Sequence, residues 1–469
     1  MLSLITYHPS PITMYFLYSL LLTLGVIVLL PRFVVDALRH GKYVQGWRER
    51  LGSLPAIETA GRPVIWLHCV SVGEAQAARP LARAILDKFP SHTLVVSTTT
   101  LTGQRIARDV FRGDATAVIY FPFDWSWTVR RSLRAVNPAI VLIMETELWP
   151  NFLRECRKRR LGVAVVNGRL SQRSFRRYRI IRSFIKRIVN NLDLALMQTE
   201  RDAERVCTLG LARERVFVSG NVKFDALDDA RGQALINELR ERFALNDERP
   251  VIVAASTHSP EERIILDAFK QLHSLPGGER VRLLIAPRHP ERFSEVAALL
   301  ESSTFTWARR SDERSEHDQL CDVILLDSIG ELRAVYPLAS IVFVGGSLTP
   351  TGGHNILEPA MAGVCTITGA HTFNFTAIVN AFLEADALIQ LPPLSEDDAP
   401  SALARVLGEL LTNDDRRRAL GAQARAVLER NRGATARTIE MLTPLLNASS
   451  HSSELSQTGD ATRGALSAR

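Results

Sequence analysis

From Val64 onward the chain alternates short apolar runs with amphipathic stretches. The first runs cover residues 64–70, 93–97, 117–121, 140–144, 163–166, 194–197 and 216–219, and stretches such as 75–89 and 102–111 carry apolar residues at helical spacing. Continuous apolar runs bounded by turn residues mark strands buried on both faces. With helices between them, they predict a doubly wound parallel sheet. A charged, helix-patterned stretch over 221–249 follows, and the alternation then restarts with runs at 251–255, 283–286, 323–326, 341–344, 364–368 and 387–390. Two such α/β halves with a short joint predict a cleft between them. The polar stretch 309–319 reads as an exposed loop, 414–430 as a late helix, and the Ser/Thr-rich 447–469 as a disordered tail.

The N-terminal pattern is different. No Lys, Arg, Asp or Glu occurs before Arg32, and residues 14–30 are one apolar run. As a helix this run is about 26 Å long, just enough to cross the hydrocarbon core of a bilayer. A cleaved signal peptide is the competing reading. The run lacks a basic start and a small-residue cleavage site before Pro31, so an uncleaved anchor is expected. Arg32, Arg39, Lys42, Arg48 and Arg50 follow it, which by the positive-inside rule puts the remainder in the cytoplasm. The expected organisation is an anchor and juxtamembrane segment over 1–50, an α/β domain over 51–235, a second over 236–446 and the tail over 447–469.

Length and charge sharpen this picture. At 469 residues the chain is too long for one ordinary core. Its five cysteines form no CxxC pair, which fits reduced residues of a cytosolic compartment. The formal charge of +7 is concentrated: between Arg154 and Arg187 thirteen basic residues meet one acid, Glu155, a local +12 that leaves the rest of the chain at −5. Such a patch suits an anionic membrane surface, a phosphorylated ligand or nucleic acid, beside the plain alternative of a solvated helix face.

Candidate chemistry lies just after the runs, because ligands of open parallel sheets bind outside the carboxyl ends of the strands. Ser71 and Gly73 follow the run 64–70 and Glu74 then opens a helix, which makes Glu74 the first candidate catalyst. The alternative is a helix-start acid favoured by the macrodipole. His68, inside the run, reads as a core histidine. The run 140–144 leads into Glu145, Thr146 and Glu147; in an extended chain the two acids share one side. Lys223 follows the last run of the first half and reads by itself as a surface residue within reach of a negative charge. In the second half, Gly345, Gly346 and Ser347 follow a run, and Gly352 and Gly353 lead through Asn355 and Glu358 into a helix. Glycine amides and a helix start make a phosphate site, with Glu358 as an acceptor for sugar hydroxyls. Pro287 and Arg288 follow the run 283–286, and an arginine fork suits a phosphate or carboxylate, with a surface ion pair as the alternative. Gly330, Glu331 and Leu332 read by themselves as a helix start. HExxH, GxxxxGK[ST] and D-x-D are absent, as is G-x-G-x-x-G after the first run, so neither a tethered metal nor a dinucleotide cofactor is expected.

With VSVGE at 70–74, METELWPN at 144–151, VNGRLS at 166–171, GNVKFD at 220–225, APRHPER at 286–292 and GGHNILEPA at 352–360, the sequence resembles the 3-deoxy-D-manno-octulosonic acid (Kdo) transferases. The resemblance runs from the anchor to about residue 445. It implies a GT-B glycosyltransferase fold, two Rossmann-like α/β domains facing a central cleft, and transfer from CMP-Kdo to a lipid A precursor, lipid IVA. The setting it implies is lipopolysaccharide core biosynthesis at the cytoplasmic leaflet of a Gram-negative inner membrane. It also implies Glu74 as general base, Glu145 and Lys223 as transition-state stabilisers, and CMP held by Pro287, Arg288, Gly330, Glu331, Leu332, Asn355, Ile356, Leu357 and Glu358, with no cofactor or metal. The choice of Glu145 over Glu147 rests on motif alignment, and the tail beyond 447 is extra to the family pattern. Two other readings share parts of this architecture: a GT-B enzyme with a UDP-sugar donor, and a membrane-tethered nucleotide-binding module without catalysis. No nucleic-acid partner is expected.

Overall fold

Runs of Val, Ile and Leu without polar alternation can be buried only on both faces, and the computed structural model of the protein buries them so in two parallel sheets. It describes residues 11–40, 46–225, 232–245, 249–275 and 278–448; for 11–12, 31–40 and 279 it describes the backbone alone. The tail expected over 447–469 lies, from residue 449, outside the described residues. The chain divides into unit 1 (Met1–Ala226 with Arg432–Arg469) and unit 2 (Leu227–Asn431).

In unit 1, β1 (Val64–His68), β2 (Thr93–Thr98), β3 (Ala117–Tyr120), β4 (Pro138–Met144), β5 (Gly162–Gly168), β6 (Leu194–Met197) and β7 (Val216–Val218) pair in the order β3-β2-β1-β4-β5-β6-β7, all parallel. Alternate residues of each strand feed two cores. Trp66, Val141 and Val165 face one side, and Ile65, Leu67, Leu142 and Ala164 the other. The second core is closed by Ala434, Ile439, Leu442 and Leu446 of a helix over 434–448. The chain therefore returns to unit 1 at Arg432, a return that a linear division at residue 236 does not contain. Asp225 holds it, accepting from Gly433 N (2.7 Å) and Thr435 N (2.6 Å) at the start of that helix.

Unit 2 repeats the scheme with β8 (Val251–Thr257), β9 (Arg282–Pro287), β10 (Trp307–Arg309), β11 (Val323–Leu325), β12 (Ile341–Val344), β13 (Cys365–Thr368) and β14 (Ile389–Gln390), parallel in the order β10-β11-β9-β8-β12-β13-β14. Seven strands replace the expected six. Three residues at a sheet edge carry too little pattern to announce β10, whose Arg309 lies in the stretch expected to be loop. Nor is that stretch wholly exposed: Asp318 is buried and pairs with buried Arg242 at 2.8 Å.

The helix Pro11–His40 contains Thr13–Leu30, which by length and composition could cross a membrane. Tyr15, Tyr18, Ser19 and Thr23 form one stripe along it, and each is hydrogen-bonded to the rest of unit 1. Tyr18 donates to Asp124 (3.0 Å), Asn151 Nδ2 donates to Ser19 (3.0 Å), Trp125 Nε1 to Thr23 (3.0 Å) and Asn191 Nδ2 to Tyr15 (3.3 Å). Phe16, Leu17, Leu21, Leu24, Ile27 and Val28, on the opposite face, are exposed.

Because Asp225 caps the helix that seals the unit 1 core, Asp225→Ala is expected to destabilise that unit by about 1–2 kcal/mol. Urea unfolding followed by circular dichroism measures it, and an unchanged midpoint would remove this capping role.

Candidate functional site

Glu74 lies in the first turn of the helix Val72–Lys88, and Ser71 is its N-cap. The S-x-x-E spacing makes the two side chains partners: Ser71 Oγ donates to Glu74 Oε1 (2.8 Å) and accepts from Glu74 N (3.4 Å), while Val70 N donates to Oε2 (2.8 Å). The carboxyl is thus a helix-start acid, as one reading of the sequence held, but it is also only 7% exposed. Two donors do not offset that burial. The carboxyl is pushed up to about 7, first by burial and second by the charge of Glu145, with Glu147 adding a smaller push and the bonds from Val70 and Ser71 working against them.

Glu145 follows β4 with φ of +55°, in the left-handed region. The chain is not extended there, so the expected sharing of one side by Glu145 and Glu147 does not apply. Holding a non-glycine residue in this conformation costs of order 1–2 kcal/mol, a strain found at functional sites. Thr146 Oγ1 accepts from Arg169 N at 3.0 Å, which ties the turn to the segment after β5. Glu145 pairs with Lys223 (Oε1 to Nζ 3.3 Å), each side chain about one-fifth exposed at 19% and 20%. Among the described residues Glu147 has no such cation, and burial followed by the Glu145 charge raises its carboxyl.

Lys223, a surface residue on its sequence alone, reaches Glu145 although β7 stands three places from β4 in the sheet. The segment after β7 runs back along the carboxyl edge. Asn167 Oδ1, at the end of β5, accepts from Val222 N (3.1 Å), and Asn221 Oδ1 accepts from Lys223 N (3.0 Å). β1 and β4 are neighbours at the place where the strand order reverses, the usual ligand position of such a sheet, and Glu74 and Glu145 follow these two strands. His68 is a core residue, as expected: Nδ1 contacts Ser97 Oγ at 3.0 Å, the ring stacks on Phe121, and burial drives its pKa down to about 3.

In unit 2 the sequence-predicted residues end or follow β9 (Pro287, Arg288) and follow β11 (Gly330, Glu331, Leu332) and β12 (Asn355, Ile356, Leu357, Glu358). One expectation needs correction. The amides of Gly346 (2.6 Å), Ser347 (2.9 Å) and Leu348 (2.9 Å) are not open to a phosphate, because the carboxylate of fully buried Glu261 accepts all three together with His258 N (3.0 Å). Arg288 is exposed with its N–H on Thr257 O (3.0 Å), whereas Pro287 is buried at the end of β9. Asn355 Oδ1 accepts from Leu357 N at 3.1 Å, and the Ile356 and Leu357 side chains are buried. Glu331 is held by Arg310 (2.8 and 3.1 Å) and Ser328 (2.7 Å), and Glu358 by Arg333 (2.9 Å). Sequence reasoning missed Glu261, Asn167 and Asp225, whose roles come from partners distant in the chain. It also missed Ser71 as the partner of Glu74, although the S-x-x-E spacing announced it.

Residues 45–226 match the family model described as 3-deoxy-D-manno-octulosonic-acid transferase (kdotransferase). The 3-deoxy-D-manno-octulosonic acid transferase of Haemophilus influenzae is 34% identical over 431 residues, 92% of this chain and 98% of the relative. That of Bordetella pertussis is 34% identical over 385 residues, 81% of this chain and 86% of the relative. Among solved structures, UDP-GlcNAc 2-epimerase from Neisseria meningitidis bound to UDP-GlcNAc matches 81% of this chain and all of its own (100%), with a TM-score of 0.55 at 13% identity. This last likeness is one of fold, two parallel α/β domains of the GT-B class.

Glu74 also leaves a mark on stability. Its pKa in the fold, about 7, lies above the ordinary 4.5, so the folded state binds the proton more tightly and stability falls as pH rises between these values. Glu74→Gln is expected to be more stable than the parent by roughly 1–3 kcal/mol at pH 8 and equal to it near pH 4. Urea unfolding at the two pH values checks this, and equal stability at pH 8 would contradict the buried, raised carboxyl.

Proposed function

Because the chain belongs to the 3-deoxy-D-manno-octulosonic acid transferases, glycosyltransferases of lipopolysaccharide biosynthesis, we propose that it moves Kdo from CMP-Kdo to the lipid A precursor lipid IVA with Glu74 as general base. The observation that carries this reading is the buried Glu74 carboxyl, raised to about 7, beside the Glu145–Lys223 pair where the strand order reverses. A sugar hydroxyl is a poor nucleophile and a weak acid. A carboxylate takes its proton as the new bond to the anomeric carbon forms, and it does so best when its own pKa lies near the working pH. The electron pair of the broken bond passes to the phosphate of the departing CMP. Glu145 has two effects in this scheme: its charge raises the proton affinity of Glu74, and it stabilises positive charge developing at the anomeric carbon. Lys223 fixes Glu145 in place.

Unit 1 is thus proposed as the acceptor side and unit 2 as the donor side. CMP is held there by Pro287 and Arg288, by Gly330, Glu331 and Leu332, and by Asn355, Ile356, Leu357 and Glu358. The acids near these strand ends already have partners: Glu261 has four amides, Glu262 has Arg292 (2.6 Å), Glu331 has Arg310 and Glu358 has Arg333. These pairings also spend Arg292, Arg310 and Arg333, and the charge left for a phosphate is that of Arg288, exposed and, among the described residues, without a carboxylate partner, which supports transfer without a metal.

Attachment to the cytoplasmic face of the inner membrane is proposed from two surfaces of unit 1. One is the apolar face of the helix Pro11–His40, whose opposite stripe is bonded to the protein, an arrangement suited to embedding one side of a helix. The other is the pair of helices Gln172–Ile180 and Arg182–Val189, where Arg173, Arg176, Arg177 and Arg182 are exposed and, among the described residues, have no carboxylate partner. Ile180, which ends the first of these helices, and Ile181, which joins them, are exposed. Such arginines draw unit 1 to anionic headgroups by about 1 kcal/mol each near the surface.

Glu74→Ala is expected to lower turnover roughly 100- to 10,000-fold while CMP binding is kept. In the parent, kcat/KM is expected to rise with pH to a midpoint near 7, because only the ionised carboxyl accepts a proton. Near-normal turnover of the variant with CMP-Kdo and lipid IVA, read by mass spectrometry, would defeat the base assignment. Arg173→Glu, Arg176→Glu and Arg177→Glu together are expected to weaken flotation with anionic vesicles and acceptor use in parallel. If neither changes, the patch is only a solvated face.

A further inference from the structure

Three histidines crowd the carboxyl edge of the second sheet, outside the residues to which the donor has been assigned. His258 follows β8, His289 follows β9, and His354 lies in the glycine-rich loop after β12. β8 and β12 are the neighbours at which the strand order of this sheet reverses, the usual ligand position of an open parallel sheet. The imidazoles of His258 and His354 are coplanar within 5° and meet edge to edge, with Nε2 to Nε2 2.8 Å. At that distance one nitrogen carries the hydrogen and the other accepts it, so the pair forms one unit with room for an additional proton. Gly346, at φ +65°, makes the space: a Cβ there would lie 2.9 Å from His354 Nε2.

The groups around the pair are cationic or already engaged. His289 stands edge-on to His258 with ring centroids 5.1 Å apart, and Arg288 and Arg292 act on the pair as positive charges. Of the two acids on the adjoining helix, Glu261 is spent on four backbone amides. Glu262 is spent on Thr257 Oγ1 (2.8 Å) and Arg292 (2.6 Å). Burial, followed for His354 by the charge of His258, lowers both imidazoles, His354 to about 4, so the pair is neutral at physiological pH. An anion brought beside Arg288 reverses that balance, since an opposite charge within a few ångströms raises an imidazole pKa by about 1–3 units.

We propose that the His258–His354 pair is a proton-accepting part of the donor site, which takes up one proton as the phosphate of CMP or CMP-Kdo binds and thereby matches its charge. This deepens the donor reading given above and rests on it. No covalent step is involved. The proton comes from solvent, and a new N–H donor appears on the imidazole that gains it.

The test is calorimetric titration of the full-length protein at pH 6.5 with CMP and with its methyl ester, whose phosphodiester does not titrate in this range, each in two buffers of different ionisation enthalpy. Proton uptake of up to roughly three-quarters of a proton per ester is expected for the parent, with affinity falling towards about tenfold per pH unit above that point. His258→Gln and His354→Gln should each abolish the uptake, make ester affinity independent of pH, and weaken it by up to about fourfold at pH 6.5. Ester binding to the parent without uptake, a result that needs no variant, would overturn the pair's role and leave the donor reading intact. Uptake that persists in both variants would overturn it as well. Failure of both CMP and the ester to bind would overturn the donor reading and this inference together.

Discussion

A carboxylate buried at the carboxyl end of a parallel strand must find hydrogen-bond donors or keep its proton, and most of the chemistry of this protein follows from which acids find enough of them. Glu261, with four backbone amides, is fully occupied and welds the loop after β12 to the helix after β8. Glu262 gains Arg292, and Glu331 gains Arg310. Burial raises Glu261 even against those four donors; Glu74, left with two donors and two acids nearby, is pushed up to about 7. Under-satisfaction that would be a flaw in a structural acid is what a proton acceptor needs.

The two sheets share an ordering scheme but place opposite chemistry at the point where it reverses. In unit 1 carboxylates follow the two central strands, with one lysine drawn in from the sheet edge. In unit 2 imidazoles follow them, and the local acids are neutralised inside the fold. On the proposed function, an acid-bearing edge and an imidazole-bearing edge are therefore built from one architecture by changing the few residues after each strand. The conformational strain at Glu145 belongs to the same logic: a left-handed residue after β4 turns its side chain to Lys223.

The sequence made this organisation legible wherever the determinant is local. Continuous apolar runs announced thirteen of the fourteen strands among the described residues, and only the three-residue edge strand Trp307–Arg309 of these escaped. Glu74 was legible as an acid after a strand because strand, turn and helix start are neighbours in the chain. What remained hidden was set by contacts between distant residues. Glu145 raises Glu74 across 71 positions of sequence, and Glu261 occupies amides 85 to 87 residues away. Without the second contact the loop at 345–347 reads as an open phosphate cradle. Lys223 shows the same limit most plainly. Its pattern is that of a surface lysine, the motif resemblance alone suggested more, and the reason lies in Asn167 turning the chain back along the sheet edge.

Asp124 connects the surface chemistry to the site. Almost fully buried, it accepts from the Tyr18 hydroxyl (3.0 Å), from Asn151 N (3.0 Å) and from Phe152 N (2.7 Å). The last two are orphan amides at the start of the helix Pro150–Lys158, where a negative charge is favoured. That helix begins at the end of the segment carrying Glu145 and Glu147. One carboxylate therefore supports both the docked face of the N-terminal apolar helix and the exit of the acid-bearing turn. Burial pushes Asp124 up to about 7, with its three donors opposing, so loss of the Tyr18 contact would leave a charge with less support at the very point that positions the turn. On the proposed function, the surface that meets the membrane and the strained residue beside the base thus share one foundation.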